Sequence, residues 1–308
     1  MVEAVSILLI GLTLLLVGSN VLVTSTEKIK NYFSISGFFA SFFLMGVATS
    51  APEIFISIES AFQNNTILAI GNGIGSNISN IALVFCISIL FIKKNLNTVT
   101  IPTRPFISMV VLTIIFSVLI LFDSYFDMYD SIVLIMTLLI SFYYFTSSDD
   151  KNIKSEENNK GILMTISFSV IALLMLTYGS DLFINGASNI AVIFGVSSYV
   201  IGLTLTAIGT SLPELAANIQ SARRGHHDFI IGNIIGSNIF NIAIAVSLAG
   251  LISATSVDVN NFIRDILVLL TSMFIFYFII KSNNYVIKTV YSIALVITYI
   301  VYIVFLLK

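Results

Sequence analysis

Two copies of one short motif place a carboxylate directly after a proline, inside apolar sequence. The first copy, GVATSAPE at 46–53, ends at Glu53, and the second, AIGTSLPE at 207–214, ends at Glu214. A carboxylate in the middle of a membrane costs about 3 kcal/mol even on the lenient insertion scale, so it normally faces a cation or a polar cavity. The motif therefore predicts a buried site for positive charge.

The residues around each glutamate add neutral oxygen atoms. The proline before the glutamate has no N–H, so the carbonyl four residues earlier loses its helical partner. The carbonyls concerned belong to Ala48 and Gly209, and the neighbouring hydroxyls belong to Thr49, Ser50, Thr210 and Ser211. Carboxylate, hydroxyl and carbonyl oxygens are ligands for hard cations such as Na⁺ or Ca²⁺ rather than for soft metals.

A second motif follows each glutamate and predicts a facing helix. GNGIGSNISNI at 71–81 recurs as GNIIGSNIFNI at 232–242. Small residues four apart allow membrane helices to approach closely, and this is the role expected of Gly71, Gly75, Gly232 and Gly236. Residues four apart also share one helix face, so further oxygen ligands are expected from Ser76, Asn80, Ser237 and Asn241.

The elements that position these motifs are membrane helices. Hydrophobic residues make up 57% of the chain and charged residues only 10%, which would leave a soluble fold of this length with almost no polar surface. Apolar segments of roughly 20 residues, enough to cross the bilayer as helices, follow one another along the chain. We predict an all-α membrane protein with ten spans, near 5–25, 37–61, 67–92, 105–122, 128–146, 162–186, 198–221, 229–252, 260–280 and 285–307.

The motifs recur with a constant offset of 161 residues, which indicates an internal duplication. We divide the chain into a first transmembrane repeat at 1–146, a polar cytoplasmic linker at 147–160 and a second transmembrane repeat at 161–308. Because each repeat has an odd number of spans, the second enters from the opposite face, and the ten helices form two inverted five-helix repeats.

Lysine and arginine concentrate in the odd-numbered connections between spans. By the positive-inside rule these connections are cytoplasmic, and both termini are extracellular in a multi-pass protein of the cell membrane. One of these connections holds Arg223, Arg224, His226 and His227. We interpret it as a solvated turn.

The duplicated motifs resemble those of the cation/Ca²⁺ exchanger superfamily, in its branch of prokaryotic Na⁺/Ca²⁺ exchangers, and the resemblance covers essentially the whole chain. It implies an antiporter that exchanges Na⁺ for Ca²⁺ by alternating access. Spans 2, 3, 7 and 8 would form a core with four cation sites, and the long, tilted spans 1 and 6 would slide across it.

The same resemblance implies a role for each candidate ligand. Glu53 and Glu214 would be the central Ca²⁺ ligands, together with the carbonyls of Thr49 and Thr210. One outer Na⁺ site would be lined by Gly46, Ser50 and Ser76. The other would be lined by Ala207, Ser211 and Ser237.

One pair of positions departs from the family pattern. Many members carry an acidic residue at one of the positions matching Asn80 and Asn241, commonly an aspartate at the latter, whereas both are amides here. The two glutamates then give the site two negative charges, which two Na⁺ or one Ca²⁺ would neutralise. The change Asn241→Asp is expected to strengthen cation binding.

Two alternatives to Na⁺/Ca²⁺ exchange stay open, a Ca²⁺/H⁺ antiporter and a cation channel. The H⁺-coupled branch usually opens its motif with Gly-Asn, which this chain lacks, and inverted repeats with broken helices favour an antiporter over a pore. No Cys–His cluster, phosphate loop or nucleophile arrangement occurs in the sequence, so we expect neither an enzyme nor a cofactor. The expected partners are Ca²⁺, Na⁺ and the lipid bilayer, with no nucleic acid, and a monomer is among the oligomeric states open to it.

Overall fold

The computed structural model describes residues 1–92, 102–146, 161–195, 209–282 and 284–306. Its helices are α1 (Val2–Phe33), α2 (Gly37–Thr49), α3 (Ala51–Phe62), α4 (Thr66–Ser79), α5 (Cys86–Leu90), α6 (Thr103–Asp123), α7 (Met128–Thr146), α8 (Ile162–Ile193), α9 (Leu212–Arg224), α10 (His227–Phe240), α11 (Ser247–Ile252), α12 (Val259–Lys281) and α13 (Tyr285–Leu306). Two π-helical turns, Asn80–Phe85 and Asn241–Val246, join α4 to α5 and α10 to α11. Two short strands, β1 (Tyr125–Phe126) and β2 (Thr255–Ser256), pair antiparallel.

Eight helical segments in the described ranges are long and apolar enough to cross a membrane, and the bent pair α2 and α3 makes a ninth. They lie where nine of the ten spans are predicted. The predicted span at 198–221 falls partly outside the described residues, which contain only its second half, α9. The protein is therefore a helical, multi-pass membrane protein.

The first helix of each repeat is longer than predicted. α1 and α8 each have 32 residues, so each is about 48 Å long and crosses a hydrocarbon core of about 30 Å only when tilted. An added Cβ at Gly11 of α1 would lie 2.7 Å from the Gly179 carbonyl oxygen, and one at Gly186 of α8 would lie 2.8 Å from the Ala4 carbonyl oxygen. Glycine therefore lets the two long helices pack directly against each other.

The interior of the protein is formed around α10. Every residue from Phe229 to Phe240 is buried, and the helix packs on α2 with little space between backbones. An added Cβ at Gly236 would lie 2.5 Å from the Phe42 carbonyl oxygen. The close approach expected of the glycines is thus confirmed for α10, whereas no atom of the described residues comes within 4 Å of a Cβ built on Gly71 or Gly75.

The connecting segments form two groups, one at each end of the molecule, and contacts within each group define them. At one end of the molecule the Thr66 hydroxyl donates to the Ser253 carbonyl at 2.6 Å. Ser253 is close in sequence to strand β2. At the other end Glu27 forms ion pairs with Arg224 and His226. The turn that holds His226 is therefore tied to α1, and the interpretation as a simply solvated turn is wrong for this histidine.

Candidate functional site

The first copy of the motif interrupts a helix at Ser50. α2 ends at Thr49 and α3 begins at Ala51, with a bend of 44° between them. Ser50 has φ −83° and ψ 3°, and Pro52 lies in the first turn of α3. The break occurs where the proline predicts it, because Pro52 cannot donate the hydrogen bond that would continue α2.

The second copy has the same local geometry. Ser211 has φ −87° and ψ 4°, and Pro213 lies in the first turn of α9. Glu53 and Glu214 each follow a proline and so occupy the first turn of their helices. The helix dipole favours negative charge at this end. Both copies therefore aim a helix N-terminus and a carboxylate into the interior.

Both carboxylates are fully buried, with 0% relative exposure. Among the described residues, neither oxygen of Glu53 has a hydrogen-bond partner, and the same holds for Glu214 Oε2. No salt bridge reaches either residue in these ranges. A buried carboxylate without a partner costs several kcal/mol or more. Each carboxylate of the pair therefore needs neutralisation, which either a bound cation or a proton would supply.

Five residues drawn from both motif copies form one half of the site. Ser50 Oγ donates to Glu214 Oε1 at 3.4 Å. Ser237 Oγ donates to the Gly46 carbonyl at 3.5 Å and lies 3.3 Å from Thr49 Oγ1. We call this group half-site A. It offers hydroxyl, carbonyl and carboxylate oxygens together.

A matching group forms the other half of the site. Ser76 Oγ lies 3.5 Å from Thr210 Oγ1, and both hydroxyls face the Glu53 carboxylate. We call Glu53, Ser76 and Thr210 half-site B. Ser211 Oγ is buried with no partner in the described part of the chain, and Ala207 lies outside the described residues.

This pairing corrects the grouping of outer ligands that the resemblance implies. That grouping placed Ser76 with Gly46, and Ser237 with Ser211. In the structure it is Ser237 that lies against Gly46, because α2 and α10 are in close contact: an added Cβ at Gly46 would lie 3.2 Å from the Ser237 nitrogen. Each half-site therefore takes its serine hydroxyl from the other copy of the glycine motif.

The two central asparagines begin the π-helical turns. Asn80 and Asn241 are both fully buried. Neither amide atom of Asn80 has a partner within the described ranges, and neither does Asn241 Oδ1. A π-turn adds one residue to a helical turn and is frequent at functional sites. Both amides therefore have an oxygen available as a neutral cation ligand. Among the described residues no three His, Cys, Asp or Glu side chains form a cluster, so the negative charge of the site comes from the two glutamates.

The carbonyl of Gly209 is not left free. Ser180 Oγ on α8 donates to it at 2.6 Å. The equivalent serine of the first repeat, Ser19, instead bonds within its own helix to the Leu16 carbonyl at 3.1 Å. The carbonyl freed by the second proline therefore anchors α8 to the broken helix in this conformation, a contact that was not predicted.

Sequence reasoning also missed the asparagines that surround the ligands. Asn233 Oδ1 lies 3.2 Å from Thr49 Oγ1, and Asn233 Nδ2 donates to Asn218 Oδ1 at 2.9 Å. Asn77 Nδ2 donates to the Asn238 carbonyl at 2.9 Å. The available signal was the repeated asparagines within GNGIGSNISN and GNIIGSNIFN, where only the glycines, the first serine of each copy and the last asparagine of each copy were assigned a role.

Comparison with known proteins places this geometry among transporters. A family model described as "Sodium/calcium exchanger protein" matches residues 3–147 and 164–308. The uncharacterized membrane protein MJ0091 of Methanocaldococcus jannaschii is 34% identical over 257 residues, which cover 82% of each chain. The sodium/calcium exchanger MaX1 of Methanosarcina acetivorans is 27% identical over 348 residues, 97% of each chain. A solved structure of the sodium-calcium exchanger NCX_Mj matches with a TM-score of 0.81 and 28% identity over 98% of both chains.

Proposed function

Because the chain belongs to the sodium/calcium exchanger protein family, we propose that it is a secondary antiporter that exchanges Na⁺ for Ca²⁺ by alternating access. The observation that carries this proposal is the pair of buried glutamates, Glu53 and Glu214, because three of their four carboxylate oxygens lack hydrogen-bond partners among the described residues. Two negative charges are neutralised either by one Ca²⁺ or by two Na⁺. Competition of the two ions for one charge pair would couple their fluxes.

The neutral oxygens favour Na⁺ over H⁺ as the coupling ion. A proton needs only one carboxylate oxygen, whereas a hard metal cation of this size takes about six oxygens. In half-site A the Ser50 hydroxyl contacts the Glu214 carboxylate, and the Ser237 hydroxyl contacts the Thr49 hydroxyl and the Gly46 carbonyl. Ca²⁺ would use such oxygens in either kind of antiporter, but the outer sites that the resemblance places beside the central Ca²⁺ ligands would be needed only for Na⁺.

We propose ten spans in two inverted repeats, at 1–146 and 161–308. Segments that meet on one side of a membrane are separated by an even number of spans. The contacts of Glu27 with Arg224 and of Thr66 with Ser253 satisfy this condition when a span at 198–221 is counted. The 147–160 linker lies outside the described residues. We propose that it is cytoplasmic, that both termini are extracellular and that the protein resides in the cell membrane.

Ca²⁺ uptake into proteoliposomes tests the exchange reaction. Vesicles loaded with Na⁺ and diluted into Na⁺-free medium are expected to accumulate Ca²⁺. Vesicles loaded with K⁺ at the same pH serve as the control and are expected to show no uptake. Uptake driven by a pH gradient in the absence of Na⁺ would assign H⁺ as the coupling ion, and uptake that ignores both gradients would favour a channel.

The stoichiometry is the second quantity to measure. The resemblance implies about three Na⁺ per Ca²⁺, whereas a third Na⁺ against two glutamates would leave a net positive charge that costs several kcal/mol at low dielectric. We propose electrogenic exchange with a weak third Na⁺ site, because the sequence contains all the outer Na⁺ ligands that the family resemblance implies. A flux balance point that does not depend on membrane voltage would instead show electroneutral two-for-one exchange.

A further inference from the structure

We infer that Asn77 is a positioning residue that holds the Asn241 amide with its oxygen free for a cation, and that it thereby requires an amide rather than a carboxylate at position 241. This inference rests on the proposed function, because it assigns a task to a residue behind one of the proposed ligands. Asn77 is fully buried.

A chain of hydrogen bonds sets the orientation, starting from a backbone carbonyl. Asn77 Nδ2 donates to the Asn238 carbonyl oxygen at 2.9 Å. A backbone carbonyl can only accept, so this bond determines which end of the Asn77 amide lies against it. Asn77 Oδ1 then accepts from Asn241 Nδ2 at 3.1 Å. The atom of Asn241 without a partner among the described residues is therefore Oδ1.

The orientation matters because the two ends of an amide have opposite chemistry. The oxygen binds a cation, whereas the NH₂ group is a donor and repels one. Turning the Asn241 amide over would place its oxygen against Asn77 Oδ1 and break their bond. An unsatisfied buried polar group costs about 1–3 kcal/mol. Asn77 therefore selects the cation-binding orientation of Asn241 before the ion arrives.

The equivalent contact by repeat symmetry, between Asn238 and Asn80, is absent in the described part of the chain. Asn238 occupies in the second repeat the position that Asn77 occupies in the first. Its Nδ2 donates within its own helix to the Ile234 carbonyl at 2.7 Å, and its Oδ1 has no partner in the described ranges. Neither amide atom of Asn80, the counterpart of Asn241, has a hydrogen-bond partner among the described residues. The chain thus contains matched positions with and without the positioning contact.

The same contact acts against a carboxylate at position 241. An ionised aspartate has only acceptor oxygens, so in Asn241→Asp an oxygen would face Asn77 Oδ1. Relief would require either that the aspartate take up a proton, which cancels its added charge, or that Asn77 turn over and lose its bond to the Asn238 carbonyl. We therefore expect Asn241→Asp to weaken Ca²⁺ binding, which reverses the expectation drawn from charge alone.

Equilibrium Ca²⁺ binding to the purified full-length protein tests the inference. Asn77→Ala is expected to weaken Ca²⁺ binding about tenfold, the equivalent of one buried hydrogen bond. Asn238→Ala is expected to weaken it by less than about twofold, because this variant keeps the backbone carbonyl that accepts from Asn77. In an Asn241→Ala background, Asn77→Ala is expected to have no further effect, because Asn77 acts through Asn241. Independent, additive losses would show a purely structural role and would overturn the inference.

A second comparison does not depend on the folding of Asn77→Ala. Asn80→Asp and Asn241→Asp add the same charge at equivalent positions, but only the latter meets Asn77 Oδ1. We expect Asn241→Asp to bind Ca²⁺ about tenfold more weakly than Asn80→Asp, again the scale of one buried hydrogen bond. Equal or tighter binding by Asn241→Asp would contradict the inference while the unaltered protein still binds Ca²⁺. Absence of Ca²⁺ binding by the unaltered protein would instead contradict the proposed function.

Discussion

The two copies of the motif have nearly the same backbone and different surroundings. The break residues Ser50 and Ser211 differ by a few degrees, with φ −83° against −87° and ψ 3° against 4°. The π-helical turns begin at equivalent residues, Asn80 and Asn241. Identical residue types at the proline, glutamate and asparagine positions therefore produce the same local structure twice.

The contacts that hold the two copies differ. In the second copy the broken helix is tied to α8 by Ser180, and the Asn241 amide is held by Asn77. In the first copy Ser19 bonds within α1, and Asn80 is bonded to no described residue. A carrier with two equivalent halves faces one side of the membrane when the halves adopt different conformations. The two copies thus have equal ligand types but unequal contacts holding them.

The largest expected effect tests whether both copies are equally necessary. Glu53→Gln and Glu214→Gln are each expected to lower Na⁺-dependent Ca²⁺ uptake by at least about 100-fold, because losing one of two charges opposite a desolvated divalent ion costs several kcal/mol. Initial uptake rates in proteoliposomes measure the loss. The Tm of each variant is expected to stay equal or rise, since an unpaired buried charge is removed. Near-normal uptake by either variant would disprove the shared role of the glutamates.

Helix packing gives the next largest expected difference between the copies. Gly236→Ala is expected to lower the free energy of unfolding by about 1–3 kcal/mol, because its Cβ would meet the Phe42 carbonyl. The matched change Gly75→Ala meets no described atom within 4 Å and is expected to stay within about 0.5 kcal/mol of the unaltered protein. Thermal unfolding in detergent measures both. An equal loss at Gly75 would contradict this difference in packing between the two copies.

A smaller effect distinguishes the two half-sites. Ser50→Ala and Ser237→Ala lie in half-site A, so their effects on the Na⁺ concentration that displaces Ca²⁺ are expected to be non-additive. Ser50→Ala and Ser76→Ala lie in different half-sites and are expected to combine independently, to within about 0.5 kcal/mol. Each single change is expected to raise the displacing Na⁺ concentration about threefold to tenfold, the scale of one hydrogen bond or ligand. Coupling of Ser50 with Ser76 instead would restore the grouping implied by the family resemblance.

The features that could be predicted from the sequence are those that depend on residues close together in the chain. The helix breaks were predictable, because Pro52 and Pro213 act on their own helices. The positions of the spans were predictable from apolar length. The partners of Ser237 and Ser76 were not, because they depend on how closely α2 and α10 pack across the molecule. The π-turns and the Asn77–Asn241 bond also escaped, since neither has a characteristic sequence pattern.

The smallest expected effect concerns the ends of the helices, where Glu27 of the first repeat contacts Arg224 and His226 of the second. Glu27 bonds to Arg224 at 3.1 Å and to His226, and these side chains are a quarter to a third exposed. The residues at the equivalent positions of the opposite repeats carry no charge. Ser188 corresponds to Glu27, Gln63 to Arg224 and Asn65 to His226.

Exposed and partly exposed ion pairs contribute about 0–1 kcal/mol. Glu27→Gln is therefore expected to lower Tm by about 3 °C or less, and Ser188→Ala, the matched control, by less. High salt is expected to remove most of the difference, because the Debye length falls to about 3 Å at 1 M. Because the family resemblance implies that α1 slides across the core during exchange, Glu27→Gln is expected to leave Ca²⁺ uptake in place. A loss of uptake comparable to that of Glu53→Gln would mean that this end of α1 is as essential to transport as the ion site.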